Sequence, residues 1–293
     1  SSLPGQSQQG ALEGPITCQA ALTLRFLSAD SREIQTLEGL QTFKNLEEAF
    51  FLSNLIQDGS PLAELYRLFH LDIGFNRLTD AHFVKKLKAM KILYLDGNLL
   101  SDNGSTPAAG RDGQREPKGT AVPVLDPLSN LVNLESVAIG FNQIVDLSPL
   151  AAATRLRQLS AQQNQIYDLS IVSKWSFLVG LFLGGNPIGD LSPVYAKTGL
   201  LFLGLEDLGL TTLNSLSGFG GLRLLWVDDN AISDLGVLPN FPNLFQLDVS
   251  GNPIANFTPI ASLKNLVFLD LANTGLGGGS PTAPRPSGNG SSE

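Results

Sequence analysis

The sequence predicts an α/β-type solenoid: a curved stack of short units with a parallel β-sheet lining the concave side and short 3₁₀ or extended turns on the convex side. Three observations carry this. Asparagines recur with a period of 22, at Asn54, Asn76 and Asn98, at Asn142, Asn164 and Asn186, and at Asn230 and Asn252. An L-x-L alternation precedes them, as in Leu181 and Leu183 before Asn186. An I-x-D-L-S-P-L segment or a variant follows, as at Ile144 to Leu150, Ile188 to Val194 and Ile232 to Leu238.

Each element has a physical reason. Alternation of leucine with other residues makes a short strand whose leucines point inward and whose intervening residues face solvent. One unit is too small to bury its own apolar edge, so neighbours stack and share a continuous core. The asparagine side chain satisfies backbone groups in the turn that leaves the strand, and stacked copies form an amide ladder. Proline and small residues after the asparagine oppose a long helix, which leaves single 3₁₀ turns on the convex side. The full frame, L-x-x-L-x-L-x-x-N-x-L, is the signature of a leucine-rich repeat horseshoe. Leu208 and Thr274 stand where the amide is expected, and Leu208 predicts a local break in the ladder sealed by apolar contact.

The divisions follow from where the frame holds. Residues 1–13 read as a flexible N-terminus, and the polar start SSLPGQSQQG as lacking any targeting peptide. Residues 14–45 read as an N-terminal cap with a degenerate first repeat, because an open solenoid end would leave leucines and a strand edge in water. Residues 46–276 hold about ten repeats. They are interrupted at 101–123 by SDNGSTPAAGRDGQREPKGTAVP, which accounts for the spacing of 44 between Asn98 and Asn142. A long insertion of this kind is either disordered or a projecting contact loop. Residues 277–293, GGGSPTAPRPSGNGSSE, read as a flexible tail or linker. Leu276 would then be covered by the tail, by a partner, or by a further domain. Sequons at Asn103, Asn256 and Asn289 are weak signals at this length.

Composition removes several function classes. The chain has 293 residues, 19 Lys+Arg against 27 Asp+Glu, a net charge of −8 and a pI of about 4.8. No basic stripe is available to displace counterions, so nucleic acid is excluded as a partner. One cysteine, Cys18, excludes an intramolecular disulfide, and with only His70 and His82 no zinc site is expected. No apolar run approaches the roughly 18 residues of a membrane span. No cofactor and no metal are expected.

The segments GPIT…LSADSREIQTLEGLQTFKNLEE and NQIVDLSPLAAATRLRQL resemble bacterial extracellular leucine-rich repeat proteins of the internalin-like group, over roughly residues 15–276. The resemblance implies secretion or surface attachment, and binding of another macromolecule on the concave face without catalysis. The insertion after Asn98 departs from the regular pattern of that group, and the helical part of the cap is poorly defined before Gly14. The scarcity of cysteine separates the chain from animal extracellular repeat proteins with disulfide-capped ends.

Strand alternation assigns the concave positions. A central column reads Phe50, Asp72, Tyr94, Ala138, Ser160, Phe182, Gly204, Trp226, Asp248 and Asp270. The column before it reads Glu48, His70, Ile92, Ser136, Gln158, Gly180, Phe202, Leu224, Gln246 and Phe268. The columns nearest the asparagine bring Asp96, Glu206, Asp207, Asp228 and Asp229 to the face, with Phe75 and Phe141 at its rim. The expected docking residues are Phe182, Phe202, Leu224, Trp226 and Phe268 with Tyr94, beside Glu206, Asp207, Asp228, Asp229 and Asp248. Solvent-facing aromatic clusters of this kind mark interaction sites. Rings around Gly180, Gly184, Gly185 and Gly204 either enclose a recess or lie flat over the small residues. The carboxylates call for a cation, a basic partner or water. His70 lies near Asp72 and Asp96 by register, as a surface histidine or a relay.

The leading reading is a non-catalytic binding module, secreted or at the cell surface, for a protein with a basic or apolar surface or for a glycan. A structural subunit of an extracellular assembly is the second reading. An intracellular scaffold resembling phosphatase-regulating repeat proteins is the third. No residue is assigned a catalytic role, since nothing defines a substrate pocket or an acid/base pair.

Overall fold

The computed structural model describes residues 22–102 and 122–276. The expected flexible N-terminus (1–13), the start of the cap (14–21) with Cys18, the insertion between 103 and 121, the tail (277–293) and the sequons at Asn103 and Asn289 lie outside the described residues.

Among the described residues, eleven three-residue strands form one parallel sheet in sequence order. They are β1 (Phe26–Ser28), β2 (Glu48–Phe50), β3 (His70–Asp72), β4 (Ile92–Tyr94), β5 (Ser136–Ala138) and β6 (Gln158–Ser160). They continue as β7 (Gly180–Phe182), β8 (Phe202–Gly204), β9 (Leu224–Trp226), β10 (Gln246–Asp248) and β11 (Phe268–Asp270). Neighbouring strands pair in a constant register, Glu48 with His70 and Phe50 with Asp72, for example. The register survives the insertion, because Ile92 pairs with Ser136 and Tyr94 with Ala138. β1 is the degenerate first repeat, with Phe26 opposite Glu48.

The middle residue of each strand faces the core. In the β9 repeat Leu222, Leu225, Val227, Ile232, Leu235 and Leu238 are all at 0% exposure. Burial on this scale is the main stabilising term, about 1.5–3 kcal/mol for each large apolar side chain. At β11 the packing thins, with Leu269 40% exposed where its counterpart Leu247 is at 1%. Among the described residues the convex side consists of 3₁₀ turns such as Ser148–Ala152, with Pro149 in the first turn, and one α-helical turn, Ser192–Tyr195. All but one of these turns are preceded by a side-chain oxygen that accepts the N–H two residues downstream: Asp146 accepts the Ser148 N–H at 2.7 Å, and Thr36, Asp58, Asp80, Asp168, Asp190, Thr212, Asp234 and Asn256 act in the same way. The aspartate of the D-L-S-P motif is therefore structural.

The asparagine ladder is continuous between Asn54 and Asn186. Asn164 Oδ1 accepts the Ile144 N–H at 2.9 Å, and its Nδ2 donates to the carbonyls of Ile139 (2.9 Å), Ala161 (3.2 Å) and Gln162 (3.3 Å). The break expected at Leu208 is present, and Leu208 packs against the core there. With no amide at 208, the Ile188 N–H turns back to the carbonyl of Asn186 at 2.8 Å. The same substitute operates where Thr274 replaces the amide: Ile254 donates to the carbonyl of Asn252 at 2.9 Å.

Candidate functional site

The strand register sets four exposed columns on the concave sheet. Two come from the first and third strand residues, and two from the pair of residues that carries the chain out of the strand. In the last column the backbone is left-handed in every repeat, from Ser31, Ser53 and Phe75 (φ 54°, 56° and 52°) through Gly97, Phe141, Gln163, Gly185, Asp207, Asp229 and Gly251 to Asn273 (φ 56°). This geometry turns the side chains of that column onto the rim. Phe75 and Phe141 are half exposed there, with centroids 6.4 Å apart, and Phe75 lies over Gly97.

The expected aromatic residues divide. Phe182 and Trp226 pack together with centroids 5.3 Å apart and a 45° tilt. Phe202 and Leu224 flank them on β8 and β9, half-buried and paired in register. Phe268 stands apart, edge-on against Phe245 at 5.4 Å. Tyr94 belongs to a different group at the other end of the sheet. There Phe26 contacts Phe50 (5.4 Å), Phe50 contacts His70 (4.7 Å), and His70 contacts Tyr94 (5.9 Å). This run was not apparent from the columns, because each contact is diagonal between them.

The expected recess is absent. A Cβ on Gly204 would stand 2.8 Å from Phe182 Cδ1 and 2.9 Å from Glu206 Oε2. Gly184 is covered by the Glu206 side chain and Gly185 by that of Gln163. A Cβ on Gly180 would stand 3.3 Å from Gln158 Cγ and 3.7 Å from Phe202 Cδ2. The glycines make room for neighbouring side chains, so the face is filled and shallow. His70 Nδ1 lies 3.4 Å from Glu48 Oε2, within its own column, and its Nε2 has no hydrogen-bond partner among the described residues.

The carboxylates are unevenly solvated. Folding Glu206 across two glycines removes water from it, and this burial, with repulsion from Asp228 and Asp248, pushes its carboxyl up to about 7. Its Oε2 is buried without a hydrogen-bond partner among the described residues. Asp228 is pushed up to about 6, first by burial and then by Asp248, Asp229 and Asp270. Asp207 is raised by burial and by Asp229. Asp248 accepts the Ser250 N–H at 2.9 Å, as Asp72 accepts that of Gly74 at 3.0 Å. Asp96 accepts the Gly140 N–H at 2.8 Å and is pushed to about 6 by burial. Across β1 to β11 the four columns carry Asp30, Glu48, Asp72, Asp96, Glu206, Asp207, Asp228, Asp229, Asp248 and Asp270, and neither lysine nor arginine. Arg25, Lys91, Arg157 and Arg223 all stand one residue before a strand, on the flank. Among the described residues no group of three or more His, Cys, Asp or Glu side chains could hold a metal ion, and no helix is long and apolar enough to cross a membrane.

These features define an internalin-like leucine-rich repeat solenoid, the fold of a protein-interaction scaffold. An internalin (inlF) of Listeria monocytogenes is similar at 26% identity and a TM-score of 0.57, over 91% of this chain and 92% of that one. A leucine-rich repeat protein of Leptospira interrogans shares the fold at 22% identity and a TM-score of 0.67, over 86% of this chain and 62% of that one. So does the ectodomain of the plant receptor kinase GASSHO1/SCHENGEN3 of Arabidopsis thaliana, solved in complex with Casparian strip integrity factor 2. It is 18% identical at a TM-score of 0.60, over 87% of this chain and 30% of the ectodomain. No family model and no curated protein matches the chain.

Proposed function

We propose that the protein is a secreted or surface-attached binding module that docks a protein partner with basic and apolar character on its concave sheet, centred on Phe182 and Trp226. The observation that carries this reading is the charge division of the sheet. Ten acidic residues and no lysine or arginine occupy the exposed columns, around a pair of rings in contact. Carboxylates held close together in partial burial repel one another and lose hydration, and a cationic partner offsets both costs. The rings add apolar area at the same place, and large aromatic side chains dominate the energetics of interfaces. The likeness to an internalin supports the extracellular setting.

The test is affinity capture with the wild type and with a variant carrying Phe182→Ala and Trp226→Ala. The variant should lose the partner while its melting temperature stays nearly unchanged, and wild-type capture should weaken as salt is raised. Capture that is indifferent to the double substitution would sink the assignment of the site.

A further inference from the structure

We propose that the concave face carries a second docking station, over β1 to β4, and that both stations together take one extended cationic segment of a partner protein with an apolar side chain near each end. The proposal rests on the concave-face reading above and adds the identity of the second contact and the form of the partner. Phe26, Phe50, His70 and Tyr94 make an unbroken run of ring contacts across four adjacent strands, at 5.4, 4.7 and 5.9 Å. The other aromatic group, Phe182 with Trp226, begins three strands beyond Tyr94. The strands between carry short or polar residues: Ser136, Ala138, Gln158 and Ser160. That strip offers hydrogen-bonding groups to a backbone passing over it and offers no third apolar anchor.

Charge selects the class of occupant. Glu48, Asp72 and Asp96 border the first station, and Glu206, Asp228 and Asp248 border the second. An anionic ligand would meet repulsion at both ends, and a neutral one would leave the carboxylates without an offset. Geometry selects the form. Phe50 and Trp226 lie on β2 and β9, and seven strand spacings amount to about 34 Å. An extended chain rises about 3.3 Å per residue, so roughly ten residues link the two anchors.

The probes are three labelled synthetic peptides measured by fluorescence anisotropy. The long one, of about 13 residues, carries Lys-Trp-Lys at each end and a Gly/Ser spacer that brings its tryptophans to that separation. The short one lacks the spacer, and the third is a single Lys-Trp-Lys. The long peptide should bind at least about tenfold more tightly than the short one, because its second anchor binds as a tethered group. Phe50→Ala with Tyr94→Ala should erase that advantage and leave the short peptide bound at the Phe182 and Trp226 station. Equal affinity of long and short peptides for the wild type, or an advantage that survives this double substitution, overturns the second station. If the short peptide nevertheless binds and is lost on Phe182→Ala with Trp226→Ala, the first reading stands alone. If no peptide binds, or binding ignores both pairs of substitutions, both readings fall. Binding of neutral cellohexaose in the absence of peptide binding would also overturn the proposal, in favour of a glycan.

Discussion

The carboxylate of Asp102 accepts the backbone N–H of Val124 at 2.6 Å, joining two residues 22 positions apart in the chain. Its other oxygen accepts the N–H groups of Val145 (2.7 Å) and Asp146 (3.1 Å) in the next repeat. In other repeats the residue at this position serves its own 3₁₀ turn; here it clamps the two ends of the insertion to the following unit. The solenoid resumes at Leu125 as if nothing intervened.

Asp102→Ala should therefore destabilise the protein by about 2–3 kcal/mol, since three N–H groups lose a charged acceptor. Excising residues 103–124, one full period, should leave a folded solenoid by circular dichroism. Loss of the cooperative melt on excision would show that the inserted residues contribute to the fold.

The ladder makes an equally direct prediction. Asn164→Ala removes one acceptor and one multiply engaged donor from a buried site and strands the Ile144 N–H. A loss of about 3–5 kcal/mol is expected in urea denaturation. Ile188 and Ile254 show that a chain built without the amide finds a local substitute, so the loss should be smaller if the turn at Ile144 can close in the same way. A crystal structure of the variant would show whether Ile144 has turned to the Asn142 carbonyl.

The left-handed column gives a pair of substitutions with opposite signs. Gly97 has φ +60°, and a Cβ there would stand 2.6 Å from the Phe75 ring, so Gly97→Ala combines backbone strain with a clash. It should cost about 1–3 kcal/mol. Ser53, exposed and at φ 56°, occupies the same position without a ring above it. Ser53→Asn should raise stability by a few tenths to about 1 kcal/mol, because asparagine tolerates this conformation better. Thermal melts of the two variants moving in the same direction would contradict the assignment.

Most of the fold was legible because the strand period of 2 and the repeat period of 22 both leave marks on side-chain type. The pairing of Phe50 with Asp72 and of Phe182 with Gly204 follows from them directly. What could not be read depends on rotamers. A glycine at 204 announces a missing side chain, but whether the space stays open depends on where Phe182 and Glu206 turn. The ring run from Phe26 to Tyr94 crosses between columns, and a column-by-column reading does not register diagonal contacts. Lys197 was likewise invisible: it stands where Trp175 and Phe219 fill the core in other repeats, and its amine instead donates to the carbonyls of Ser173 (3.0 Å) and Trp175 (3.2 Å).

Glu206 carries the last prediction, on pH. Its carboxyl is raised to about 7 in the folded state, and Asp228 to about 6, so between pH 5 and 8 the native protein binds more protons than the unfolded chain. Stability must then fall as pH rises through this window, because the proton favoured by burial is stripped away. For Glu206 alone the loss is on the order of 2–3 kcal/mol. Glu206→Gln removes the titrating group while keeping its shape over Gly184 and Gly204. Urea denaturation should find the variant similar to wild type at pH 5 and more stable at pH 8. A variant that kept the wild-type slope across the window would show that Glu206 is ionised in the folded protein throughout, with a counter-charge that its surroundings here do not supply.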